Sequence, residues 1–337
     1  MTRRPLFLGL CVLCLVIPIP GCGAEETGVD APPDRVVAVV LPFLTMTPFH
    51  IAAEEGYFTE QNLDVEFVRL PRQQELMAVL ASGDVDVVAS MISVNTLNMV
   101  ARGARVRLVA TLGHLSTGEC PFNAFMVRRE LFESGALQDP EQVRGLLIDA
   151  DIVLPFGYFL HRMLEPLGLT IDDVELTNLP PAASVQALIN DSVDVTVESE
   201  PFISTLLASG EAVIWQETSE IVPDYLMSVM RYGPSLLDDR PEVGTRFAVA
   251  MLKAIRQFHE GKTTENVSLL SSFTGLSAEQ ATEACWPTGP DDARVDISTL
   301  IPFQEWLVSQ GLVERVLSED EMVDHRFMDG ANAILSR

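Results

Sequence analysis

Two stretches of this chain repeat one another. Asp64-Val65-Glu66-Phe67-Val68-Arg69-Leu70-Pro71 is matched by Asp173-Val174-Glu175-Leu176-Thr177-Asn178-Leu179-Pro180. Leu80 with Val85-Asp86-Val87 is matched by Leu188 with Val193-Asp194-Val195. The offset is 109 residues at the first match and 108 at the second. Matching segments in the same order, at nearly constant spacing, predict two similarly built lobes. Each repeat begins with a β-branched run and passes into helical spacing. Such a unit buries its apolar faces in an α/β sheet.

The alternation extends well beyond the repeat. Strands are expected at 35–41, 65–70, 85–89 and 106–111, separated by helices at 48–57, 73–81 and 93–101. A second series places strands at 122–127, 146–148, 174–179, 193–197 and 212–215, with helices at 158–167, 183–189 and 201–208. Strands spaced by helices of about ten residues indicate βαβ units and mainly parallel sheets. After a strand at 225–231 the chain reads as helical to its end. That tail makes no sheet of its own, so it is expected to pack back on the first lobe. The chain then crosses between lobes twice, near 115–122 and 220–228, as two hinge strands. The expected division is 35–117 with 228–337 for lobe 1, and 118–227 for lobe 2.

Composition narrows the function. The 337 residues carry 48 acidic side chains against 22 Lys and Arg, a net charge of −26. Such a surface repels phosphate backbones and argues against nucleic-acid binding. At 47% hydrophobic and 21% charged, the chain has enough apolar residues for a substantial core.

The N-terminus sets the expected compartment. Arg3 and Arg4 precede an apolar stretch, Leu6 to Ile19, too short to span a bilayer well. It ends in Ile19-Pro20-Gly21-Cys22, which resembles a bacterial lipobox. Residues 1–21 then read as a lipoprotein signal peptide. Cys22 is the lipid-attachment residue, diacylated with palmitate-type chains, and 22–34 is an acidic, flexible tether. An ordinary signal peptide is the plainer reading. The mature chain keeps Cys120 and Cys285, which either form one disulfide or stay as buried thiols.

The stretch Pro48-Phe49-His50-Ile51-Ala52-Ala53-Glu54-Glu55-Gly56-Tyr57-Phe58, running into Leu63-Asp64-Val65, resembles a particular group of ABC-transporter solute-binding proteins. These are the nitrate/sulfonate/taurine and thiamine-pyrimidine-precursor binders. Residues 79–90, 164–181 and 193–202 (Val-Asp-Val-Thr-Val-Glu-Ser-Glu-Pro-Phe) are similar to further segments of that group, in the same order. The resemblance implies a two-lobed periplasmic-binding-protein-like fold of type II, α/β with mainly parallel sheets, whose helical C-terminal segment packs on lobe 1. It also implies a small-molecule ligand, ABC permease and ATPase partners, a lipid-anchored monomer on the periplasmic or cell-surface side of a bacterial membrane, and no cofactor.

One departure bears on the ligand. Where oxyanion binders of the group offer Gly and Ser/Thr at a helix start, this chain reads Leu154-Pro155-Phe156-Gly157-Tyr158. Proline lacks an N–H, and Leu and Phe lack a hydroxyl, so a small oxyanion is disfavoured.

In open α/β sheets ligands sit beyond the carboxyl ends of the strands. That rule selects Phe43, Thr45, Phe49, His50, Ser90, Met91, Ser93, His114, Phe156, Tyr158, Glu198 and Glu200 as candidate ligand contacts. The set is aromatic and lightly polar, with two carboxylates and no basic side chain other than histidine. It suits a neutral or cationic organic molecule such as a flat heterocycle. Each candidate also has a structural reading: Phe43 and Phe49 as core, His50 and His114 as surface residues, Ser90 and Ser93 as helix caps, Glu200 as a helix-start acid. No nucleophile motif or metal-ligand spacing is present in the expected mature chain, so no catalytic or metal residue is assigned. The expectation is a solute-binding component that captures its ligand by hinge closure. An enzyme of the same fold, acting on a small carboxylic or heterocyclic substrate, and a ligand-sensing lipoprotein are the alternatives.

Overall fold

The strands sort into two five-stranded sheets of matching design. The computed structural model describes residues 31–41, 43–68, 75–115 and 121–337. The first sheet is built from β1 (Asp34–Val39), β2 (Leu63–Val68), β3 (Val87–Ser90), β4 (Arg107–His114) and β10 (Leu226–Tyr232) in the order β2-β1-β3-β10-β4. The second uses β5 (Asn123–Arg128), β6 (Leu147–Asp149), β7 (Glu175–Thr177), β8 (Val195–Ser199) and β9 (Ala212–Glu217) in the order β7-β6-β8-β5-β9.

In each sheet four strands run one way and one runs against them. β10 is antiparallel to β3 and β4, and β5 is antiparallel to β8 and β9. The reason lies in the connections. β4 ends on one side of the crossover and β5 begins on the other, in the opposite sheet; β9 and β10 are related in the same way. A strand that arrives from the neighbouring sheet at its inner edge has to run outward. The sheets are therefore mixed, with a parallel majority. The two crossovers touch: Leu115 N donates to Tyr225 O at 2.9 Å and Asp224 N to Leu115 O at 2.8 Å.

The sequence repeat is also a structural one. Val37 N donates to Asp86 Oδ2 at 2.8 Å, and Leu147 N donates to Asp194 Oδ2 at 2.9 Å. The other oxygen of each aspartate meets an arginine, Arg240 for Asp86 and Arg128 for Asp194. The registers agree as well, with Ala38 opposite Val87 and Ile148 opposite Val195. The two aspartates are thus one device used twice: each pins the first parallel strand of its sheet to the third.

Some boundaries move. The strand expected at 174–179 shortens to Glu175–Thr177, because Leu179 N turns to the Asp149 carboxylate at 2.8 Å and Pro181 opens a helix. The helix expected at 158–167 starts earlier, at Pro155, whose missing N–H costs nothing in the first turn. Gly157 is required in that turn, since a Cβ there would lie 2.9 Å from Ile152 Cα.

The long helix Pro241–His259 buries Phe247, Met251, Ile255 and Phe258 and packs on the helices Thr47–Glu54 and Arg326–Leu335, on the first-sheet side. The C-terminal segment departs from the expectation in one helix. Ile301–Ser309 sets Phe303 and Trp306 against Tyr158, in the helix Pro155–Leu164 that follows β6. Residues 286–293 run along β4, where His114 N bonds Thr288 O and Thr111 N bonds Ala293 O, closing an edge that would otherwise be open. The largest core cluster draws on both sheets, and Pro33–Arg337 form one compact unit.

Cys285 is disulfide-bonded. Cys120, the expected signal peptide, Cys22 and most of the expected tether lie outside the described residues. Among the described residues no helix is long and apolar enough to cross a membrane.

Candidate functional site

A cavity of about 380 Å³ lies beyond the carboxyl ends of β1, β3, β6 and β8, with walls from both sheets. Its size suits a small organic molecule. The halves meet at its rim: Val94 N donates to Val153 O at 2.9 Å, and Phe43 meets Phe202 edge-on at 6.1 Å.

The first-sheet wall is hydroxyl- and sulfur-bearing. Thr45 and Ser228, both buried, share a hydrogen bond of 3.0 Å in which Ser228 donates. Ser90 ends β3, Met91 follows it, and both face the cavity with Met227. Ser93 caps the helix Val94–Ala101 by accepting from Thr96 N, and it also lines the cavity. Behind this wall lies Arg231, fully buried on β10. Its guanidinium donates to Ser90 Oγ at 2.8 Å, Ser90 O at 3.3 Å and Met91 O at 2.6 Å. Burial lowers its pKa to about 9, which leaves it charged at neutral pH. Ser90 Oγ in turn donates to Met91 O, so it offers the cavity an acceptor.

The second-sheet wall is acidic. Asp149 ends β6, Glu198 lies near the end of β8, and Ser184 comes from the helix Pro181–Ile189. Thr196 Oγ1 donates to Glu198 Oε1 at 2.9 Å and lies 2.5 Å from Ser184 Oγ. Glu198 is only 4% exposed and Asp149 6%. Burial, helped by the nearby Asp149 charge, raises Glu198 to about 7, against the pull of the Ser184 and Thr196 hydroxyls. Burial also raises Asp149, opposed by Ser184 and the Leu179 N–H. Phe156 supplies an aromatic face beside Leu154 at the helix start.

Of the expected contacts, Phe43, Thr45, Ser90, Met91, Ser93, Phe156 and Glu198 line this cavity. Five lie elsewhere. Phe49 is core, packed on Phe67 and Phe247. His50 stacks on Phe273 and bonds Ser272. His114 faces Asp224 O, and burial lowers its pKa. Tyr158 points away from the cavity into the Phe159–Phe303–Trp306 cluster. Glu200 clasps the start of the next helix through Ser204 N and Oγ and accepts from Cys285 N. In each case a neighbour distant in sequence claims the side chain.

Sequence reasoning missed Asp149, Asp151, Asn178, Ser184 and Ser228, which also line the cavity. Asp149 comes directly after the strand expected at 146–148 and is the last residue of β6, so the strand-end rule would have selected it. Arg231 gave no signal, because a lone arginine in a strand reads as solvent-facing. Among the described residues no Arg or Lys lines the cavity directly. Among the described residues no group of three His, Cys, Asp or Glu is placed to hold a metal ion.

A family model described as NMT1/THI5 like matches residues 44–261. No curated protein sequence matches the chain. Among solved structures, the ligand-binding component of an ABC-type import system from Staphylococcus aureus, solved with zinc bound, superposes with a TM-score of 0.74 at 16% identity, covering 88% of this chain and 99% of that one. The periplasmic nitrate-binding protein NrtA from Synechocystis PCC 6803 gives 0.71 at 14% identity, with 91% and 89% covered. The desulfurization enzyme DSZB gives 0.62 at 17% identity, with 90% and 99% covered. At these identities the likeness establishes the fold, an α/β architecture of the periplasmic-binding-protein kind, and the chemistry resides in the cavity's own residues.

Proposed function

The chain belongs to the NMT1/THI5-like family, and from that premise we propose that it is the extracytoplasmic solute-binding component of an ABC importer. Residues 35–117 with 228–337 close against 118–227 over a small neutral or cationic organic molecule. The protein delivers that ligand to a permease driven by an ATPase, and a lipid on Cys22 tethers it to the membrane as a monomer. The observation that carries this reading is the cavity itself: it is walled by both sheets at their strand ends, and among the described residues its charged lining is acidic. Ligand binding favours the closed form only by its differential affinity for that form.

Leu154 and Pro155 at the helix start give an oxyanion neither a hydroxyl nor a proline N–H, which supports the choice of ligand charge. The phenyl ring of Phe156 and the Met91 and Met227 side chains favour a flat, polarisable partner.

A thermal-shift screen of the purified chain tests the reading. Organic amines, vitamins and heterocycles are expected to raise the unfolding temperature by mass action. Strong stabilisation by nitrate or sulfonates alone would overturn the ligand class. The DSZB likeness motivates one other reading, an enzyme on the same fold. Mass spectrometry of the bound molecule separates the two: recovery unchanged supports capture, and a converted product supports the enzyme.

A further inference from the structure

The repeat allows the two halves to be compared position by position. The paired strand anchors and the shared offset make Val39 the counterpart of Asp149, Leu76 of Ser184, Val88 of Thr196, and Ser90 of Glu198. In the first half Val39, Leu76 and Val88 pack into an apolar cluster with Met77, Leu80 and Val85. In the second half the counterparts of those last three, Val185, Leu188 and Val193, are again an apolar cluster. The other positions have become acid, hydroxyl, hydroxyl and acid.

Valine and leucine satisfy the same strand framework at three of the four positions and serine at the fourth, so the framework itself does not call for two carboxyls, although Asp149 also accepts from Leu179 N. Burying them carries a cost that the apolar half avoids. Among the described residues neither Asp149 nor Glu198 forms an ion pair with Arg, Lys or His.

We propose that Asp149 and Glu198 together form a cation subsite, holding an ammonium, amidinium or protonated amino-heterocycle of the ligand between two carboxylates while Ser184 and Thr196 fix the position of Glu198. This deepens the solute-capture reading and rests on it. The other groups around the subsite are consistent with it. Asp151, after β6, adds negative charge to the same wall, and Asn123 on β5 is neutral, its amide spent on Glu198 O and Ser199 Oγ. Glu200, two residues on, is held by Ser204 and Cys285 N. Arg231 lies on the opposite side, behind Ser90 and Met91. Capture is proton-coupled: a cation that enters while Glu198 is protonated displaces that proton to solvent, and charge is conserved.

Three ring probes of matched shape test the subsite on the full chain by calorimetry: benzamidine (cation), benzamide (neutral) and benzoate (anion). At pH 8 benzamidine is expected to bind about tenfold or more tightly than either relative, and to weaken about tenfold or more at pH 5.5 as Glu198 takes up its proton. Glu198→Gln keeps an acceptor for Thr196. It is expected to abolish the preference for benzamidine and flatten its pH dependence, and Asp149→Asn is expected to reduce both. Equal or tighter binding of benzoate, benzamidine binding unchanged in both variants, or no binding of any probe would each overturn the subsite. The capture reading fails separately. A tight ligand that is anionic and indifferent to Glu198 ends the subsite and leaves capture standing, whereas no stabilisation by solutes of any charge ends capture.

Discussion

The two walls of the cavity share a framework and differ in content. On the first-sheet side a buried guanidinium stands behind hydroxyls and methionines. On the second-sheet side buried carboxyls face the cavity directly. The strand order, the reversed fourth strand and the aspartate that pins the parallel pair are the same on both sides. Where the halves agree, the residues serve the fold. Where they disagree at matched positions, one half has accepted a cost the other avoids, in keeping with the proposed cation subsite.

Four experiments break or sharpen that contrast. The largest effect is expected from Val39→Asp, which places the Asp149 carboxyl in the first half. Val39 is fully buried among apolar side chains, so the variant should lose about 4 kcal/mol or fail to fold in denaturant titration. A loss below about 1 kcal/mol would mean that the framework tolerates an acid for free, and the contrast would lose its force.

Next is Arg231→Met, which removes the guanidinium donors to Ser90 Oγ, Ser90 O and Met91 O. About 3 kcal/mol of stability should go, measured by urea unfolding.

Third is Glu198→Gln in the ligand-free chain. Burial raises the Glu198 carboxyl from 4.5 to about 7, so its charged form opposes folding. The resulting loss of wild-type stability is absent below the unfolded value, grows as pH rises from 4.5 towards 7, and is complete above it. Glutamine should therefore gain about 3 kcal/mol at pH 8 and almost nothing at pH 4. An equal effect at both values would show that Glu198 does not titrate in this window.

The smallest effect is expected from the matched pair Asp86→Asn and Asp194→Asn. Each loses an ion pair and keeps one acceptor, so each should cost about 1 kcal/mol, and the two costs should agree. Widely different costs would show that the two anchors are not equivalent.

Periodicity and turn chemistry are local, and most strands and helices were legible for that reason. The repeat was legible because the anchoring aspartates sit inside β-branched words where a charge is conspicuous. The site was only partly so. Ser90, Met91 and Glu198 follow the strand-end rule directly. Phe49 and Tyr158 obey it in sequence, yet in space they turn into aromatic clusters formed by residues far along the chain. Asp149 comes directly after the strand expected at 146–148 and lay within reach of the same rule.

The sequence alone determined the alternation of strand and helix, the doubling of the unit and the acidic balance, since each depends on neighbours within a few residues or on simple totals. Tertiary structure decided which strand runs backwards, which candidate side chains reach the cavity, and that Asp149 and Glu198 lie within each other's field. Those outcomes depend on contacts between residues many positions apart, and no local pattern encodes the distance between two strand ends once the sheets have closed.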